Sequence, residues 1–127
     1  MIKKIKKYNR GNVQFYFATI KNVPREYFNA NFLKDFIKER VNALKLTIRK
    51  IQAQSYGRRG AMTVVAFLNE SHLILTTYPE HRIIELEFAS CRKCQTCLLF
   101  PGIIGTVDDK YLIEKNTLDE RWIRMVP

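Results

Sequence analysis

The chain has 127 residues, 46% of them hydrophobic, which fits one globular domain over 1–127 and excludes wholesale disorder. No run reaches the roughly 18 apolar residues that span a bilayer, and no apolar stretch of signal-peptide length follows the basic start Met1-Ile2-Lys3-Lys4-Ile5-Lys6-Lys7, so a soluble, cytoplasmic protein without a membrane partner is expected. The formal charge of +10 is uneven, with 15 basic and 4 acidic side chains in residues 1–70 against 7 and 8 in residues 71–127; no nucleic-acid motif accompanies the basic half, so we expect a solvated surface and no nucleic-acid partner.

Val13–Ile20 is rich in aromatic and β-branched residues and reads as a strand, closed off before Pro24. From Asn31 the apolar residues Phe32, Leu33, Phe36, Ile37, Val41 and Leu44 fall at helical spacing, with Asn29 or Asn31 as the cap. Lys34, Asp35, Lys38 and Glu39 take the wet face. Thr47–Ala53 follows as a strand. Two glycines punctuate the loop Ser55-Tyr56-Gly57-Arg58-Arg59-Gly60. Ala61–Leu68 is a nearly all-apolar strand, expected to be buried on both faces or central in its sheet. Asn69-Glu70-Ser71 is a turn, His72–Thr77 a strand stopped by Pro79, and Ile83–Ser90 an alternating, half-buried strand. In the tail, Tyr111–Glu114 and Arg121–Val126 are expected as short strands.

The order strand, helix, then four strands is an α+β pattern. We expect a two-layer sandwich, a mostly antiparallel sheet with the helix packed on one face. One helix cannot cover so wide a sheet, which calls for a second helix or for a partner copy, and we expect a homodimer.

The cysteines are Cys91, Cys94 and Cys97. An odd count in a chain expected to stay inside the cell argues against a disulfide framework. Three thiols at Cys-x-x-Cys-x-x-Cys spacing still lack a fourth ligand, and His72 and His81 do not supply a metal-binding pair, so no metal site is expected.

The run Asn69-Glu70-Ser71-His72-Leu73-Ile74-Leu75-Thr76-Thr77-Tyr78-Pro79-Glu80 is followed by Glu87-Phe88-Ala89-Ser90-Cys91. Together they resemble the signature of the prokaryotic S-adenosylmethionine decarboxylases, a Glu-Ser-His strand ending in aromatic-Pro-Glu and then an acidic-apolar-x-x-Cys element. The resemblance covers about residues 13–91.

It implies a chain that cuts itself between Glu70 and Ser71. The Ser71 hydroxyl attacks the preceding carbonyl, and elimination from the resulting ester leaves a self-generated pyruvoyl group. That group acts as an electron sink for decarboxylating S-adenosylmethionine, the small-molecule substrate, on the way to spermidine. A tight turn between packed strands is expected to strain the scissile bond. By position, Cys91 corresponds to the family's proton donor and Glu80 to the carboxylate that holds the ribose hydroxyls. Tyr78 corresponds to the aromatic platform under adenine, and Thr63 to a hydroxyl that assists processing. Ser71 and His72 stand in the cleavage motif itself.

Three positions depart from the family. Thr76 replaces a His that helps the elimination step, and its hydroxyl hardly ionises near neutral pH; His81 or water would have to serve instead. Arg92 replaces a Gly, and Tyr78 replaces a Trp. Two other readings stay open: the same chemistry on arginine or ornithine, which need no adenine platform, or an unprocessed, non-catalytic homologue acting as a partner or regulator.

Overall fold

A computed structural model of the chain describes residues 13–57, 61–69, 71–90, 104–115 and 123–125. Its elements are β1 (Val13–Lys21), α1 (Ala30–Ala43), β2 (Ile48–Ser55), β3 (Met62–Leu68), β4 (Ser71–Tyr78), β5 (Ile83–Ser90), β6 (Thr106–Lys115) and β7 (Ile123–Met125), with short 3-10 turns at Arg25–Tyr27 and Pro79–His81. The strands form one sheet in the order β2-β3-β4-β5-β1-β6-β7, and every neighbouring pair is antiparallel. The architecture is the α+β sandwich the sequence predicts.

Local signals account for most boundaries. Asn29 caps α1, its side-chain oxygen accepting from the Asn31 N–H at 2.9 Å and the Phe32 N–H at 3.3 Å. Two of the N–H groups left over at the helix start are thereby satisfied. β4 takes in Ser71 and Tyr78 at its two ends, one residue more on each side than expected. β5 has the expected bounds. β6 runs for ten residues where four were expected. Asp108-Asp109-Lys110 interrupts the alternation that marks a strand, and pairing with β1 overrides that weak local signal.

Leu33, Phe36, Ile37 and Val41 form the buried stripe of α1. They share a core with Val64, Ala66 and Leu68 of β3, Leu73 and Leu75 of β4, Ile84, Leu86 and Phe88 of β5, and Tyr16, Ala18 and Ile20 of β1. Each strand sends alternate residues to this face, as a pleated strand must. Gly105 sits where a Cβ would collide with the Lys21 carbonyl oxygen, so the chain can enter β6 beside the end of β1 only with glycine there. α1 packs on the β2 and β3 side, and no second α-helix occurs among the described residues. Among the described residues no helix covers the other face of the sheet, the open face.

Candidate active site

The open face collects His72, Thr63, Thr76 and Tyr78 of the residues singled out in the sequence. Along β4, Leu73, Leu75 and Thr77 are buried in the core. His72, Ile74 and Thr76 are half-buried on the open side, and Tyr78 is exposed. The register lines these up in rows across the sheet. One row reads Lys50, Phe67, His72, Ala89, Phe15. The next reads Gln52, Val65, Ile74, Glu87, Phe17, and the third Gln54, Thr63, Thr76, Glu85, Thr19. Phe17, Thr19, Ile74, Thr76, Glu85 and Glu87 line a shallow depression of about 210 Å³.

Ser71 opens β4 opposite Leu68, so Asn69 and Glu70 alone connect two paired strands, the length of a tight hairpin turn. The Ser71 hydroxyl donates to the Asn69 carbonyl at 3.2 Å. The left-handed non-glycine residues among those described are Asn22, Lys45 and Arg82. Asn69 and Ser71 are not among them, so neither adopts the left-handed conformation. Glu70, Cys91, Arg92, Cys94 and Cys97 lie outside the described residues. Ser90, the residue before Cys91, is buried and closes β5 one position beyond the His72–Ala89 pair. The last residue of β5 is thus at the Ser71 end of the sheet.

His72, next to Ser71, holds its Nε2 3.2 Å from Glu87 Oε2. The contact is diagonal across β4 and β5, because His72 faces Ala89 while Glu87 faces Ile74. Sequence reading placed Glu87 in the family signature but gave it no role. Its link to His72 spans 15 residues and needs the strand register to be seen.

Thr63 and Thr76 are direct partners across β3 and β4. The Tyr56 and Thr63 hydroxyl oxygens lie 2.7 Å apart, a contact no sequence motif announced. This hydroxyl cluster is five residues along β4 from Ser71, or about 17 Å at the rise of a strand. Tyr78 is two residues further, and Glu80 and His81 lie on the exposed 3-10 turn beyond it. Two groups result within one copy. Ser71 and His72 stand at one end of β4, and Thr63, Thr76, Tyr78 and Glu80 lie toward the other. His81 is separated from Ser71 by the whole of β4, so within one copy the imidazole at the Ser71 end is that of His72.

The sequence profile of the S-adenosylmethionine decarboxylase family matches residues 16–105, which include both groups. The chain belongs to the S-adenosylmethionine decarboxylase family. It is 38% identical over 63 residues to the S-adenosylmethionine decarboxylase proenzyme of Brevibacillus brevis strain 47, a match covering 50% of this chain and 47% of that protein. The match thus spans about half the length of this curated relative. The crystal structure of the adenosylmethionine decarboxylase from Aquifex aeolicus VF5 superposes with a TM-score of 0.73, covering 87% of this chain and 95% of that one at 14% identity. That likeness is one of fold. No described helix is long and apolar enough to cross a membrane.

Proposed function

We propose that this family member is a pyruvoyl-dependent carboxy-lyase that cuts itself between Glu70 and Ser71 and decarboxylates S-adenosylmethionine. The observation that carries the reading is the position of Ser71, first residue of β4, directly after a two-residue connection from β3. Its hydroxyl sits on the Cβ bonded to the Cα that must become the keto carbon. A serine so placed fits a self-generated pyruvoyl group.

Ser71 Oγ attacks the Glu70 carbonyl carbon, the C–N bond breaks as the ester forms, and the hydroxyl proton passes to the freed amine. A base then takes the Ser71 α-proton, and the Glu70 carboxylate leaves with the electrons of the Cβ–O bond. Water releases the nitrogen as ammonia. The products are a piece ending at Glu70 and a piece whose first residue is the pyruvoyl group. Once formed, that group supplies a carbonyl that takes up the substrate amine and draws in the electrons freed as carbon dioxide departs. In this reading Cys91 returns a proton to the substrate carbon. The exposed ring of Tyr78 carries the adenine, and Glu80 holds the ribose hydroxyls.

The two groups on β4 are too far apart to meet within one copy, so we propose that the active form is a homodimer. The open face carries Phe15, Phe17, Val65, Phe67 and Ile74, an apolar surface that α1 does not cover. A second copy laid against it about a two-fold axis brings the Ser71 end of one chain to the Thr63–Thr76 end of the other.

The intact mass tests the reading. A processed chain gives pieces of 70 and 57 residues in place of one 15.0 kDa species, and Ser71→Ala stays whole. The row through Thr63 and Thr76 holds hydroxyls and the Glu85 carboxylate but no imidazole, which favours one second reading, an unprocessed homologue acting as a partner. A wild-type chain that stays whole after prolonged incubation selects that reading. If the chain is cut, assays with S-adenosylmethionine, arginine and ornithine decide the substrate.

A further inference from the structure

We propose that Glu87 is a positioning residue for self-processing: its carboxylate fixes the tautomer and the ring orientation of His72, the imidazole beside the serine that is cut. The inference rests on the self-cleaving reading above and adds to it a residue to which that reading gives no work.

The geometry is specific. Glu87 Oε2 stands 3.2 Å from His72 Nε2, and a carboxylate only accepts hydrogen bonds. Nε2 therefore carries the proton, and in the neutral ring Nδ1 is left as the lone-pair nitrogen. Nδ1 is the ring nitrogen nearer the main chain, and His72 is joined to Ser71 by the peptide that follows the processed residue. With Nε2 held by the carboxylate, the basic nitrogen is kept at the main-chain end of the His72 ring, one residue from Ser71. Without it, either nitrogen can hold the proton and the ring can rotate.

Among the described residues the surroundings leave Glu87 as the partner with this role. Across the sheet, His72 faces Phe67 on β3 and Ala89 on β5, neither of which can accept a proton from the ring. Glu85 lies one row further along β5, opposite Thr76. A lone surface ion pair contributes little to stability. Both side chains are part-buried, 37% and 44% exposed, on a face where the neighbouring residues are mostly apolar or hydroxylic. A pair held in that setting serves orientation better than stability, as a carboxylate does when it holds a catalytic imidazole in one tautomer.

The chemistry asks for such a group. Loss of the Ser71 α-proton needs a base, and Thr76 cannot act as one near neutral pH. His72 with its Nδ1 free is the imidazole that the same chain places next to Ser71, and the pair gives it a single orientation.

The test uses the full chain. Nitrogen-15 NMR of the uncut Ser71→Ala protein reads the His72 tautomer directly. With Glu87 present, neutral His72 is expected almost wholly as the Nε2–H form. With Glu87→Ala added, a mixture of tautomers is expected. In the cleavable chain, Glu87→Ala is expected to slow cleavage at least tenfold. Glu87→Asp, which keeps a carboxylate on a shorter arm, is expected to recover part of the rate and Glu87→Leu none. The inference is overturned if the wild type is cut, Glu87→Ala is cut equally fast and the His72 tautomer is unchanged. It is also overturned if Glu87→Leu is cut as fast as Glu87→Asp. A wild type that stays whole overturns the self-cleaving reading itself, and the positioning role with it. The wild-type mass therefore separates the two failures.

Discussion

Thr77 and Met62 are bonded to each other twice. The Thr77 hydroxyl accepts from the Met62 N–H at 2.9 Å and donates to the Met62 carbonyl at 3.3 Å. Both bonds lie on the buried face, where β3 begins. The Thr77 side chain thereby supplies bonding for Met62, whose main chain lies at the end of the strand. Thr77→Val keeps the shape and removes both bonds, so it is expected to cost about 1–3 kcal/mol. Thr77→Ser is expected to retain most of the stability. Urea unfolding of the three proteins checks this, and equal midpoints for Val and Thr would show that the bonds add nothing net.

Thr76→His is expected to speed self-cleavage. An imidazole titrates near neutral pH and a threonine hydroxyl does not, and general-base help is worth roughly 10²–10⁴-fold. The time course of the intact mass reads the effect. No gain from Thr76→His would put the limiting step elsewhere, in the turn at 69–71 or at Arg92.

Mixed copies test whether two chains build each site. Thr63→Val with Thr76→Val removes the hydroxyl pair but keeps Ser71. Ser71→Ala keeps the pair but cannot be cut. Alone, the first is expected to cleave slowly and the second not at all. Mixed, the chain lacking both threonines is expected to cleave faster, because its partner supplies them. An unchanged rate in the mixture, with dimer exchange verified, would mean that each chain works alone.

Phe88→Ala should be among the most damaging single changes on the described core. Phe88 is fully buried among residues of β1, β4 and β5, and removing its ring leaves a cavity as well as losing transfer energy. The expected cost is about 3–5 kcal/mol, measured by denaturant unfolding. A cost below about 1 kcal/mol would mean that the sheet collapses onto the gap.

The fold was largely legible because its signals are local. The stripe Leu33, Phe36, Ile37, Val41 sets the helix, and alternation in Ile83–Ser90 sets a strand with its correct ends. The assignment of Leu73, Leu75 and Thr77 to one face and His72, Ile74 and Thr76 to the other follows from parity alone. What escaped depends on register. His72 meets Glu87, and Tyr56 meets Thr63, only once the strands are paired and aligned. The distance between Ser71 and Thr76 escaped for the opposite reason: they are close in sequence, but an extended strand carries them apart. β6 is longer than its local pattern suggests because Asp108 and Asp109 mask a strand that pairing with β1 creates.

The strand order has a consequence for the life of the protein after a cut at 70–71. The N-terminal piece would own β1, β2 and β3, and the C-terminal piece β4, β5, β6 and β7. In the sheet these alternate as β2-β3, then β4-β5, then β1, then β6-β7. β1 is clasped between two strands of the other piece, and β3 is zipped to β4. Pulling the pieces apart would tear three separate ladders and open the common core. The nicked molecule would therefore migrate as one body until denatured. Once separated, its halves would have to find each other again, so recovery would slow on dilution, whereas an uncut chain refolds to its monomer fold at a rate independent of concentration.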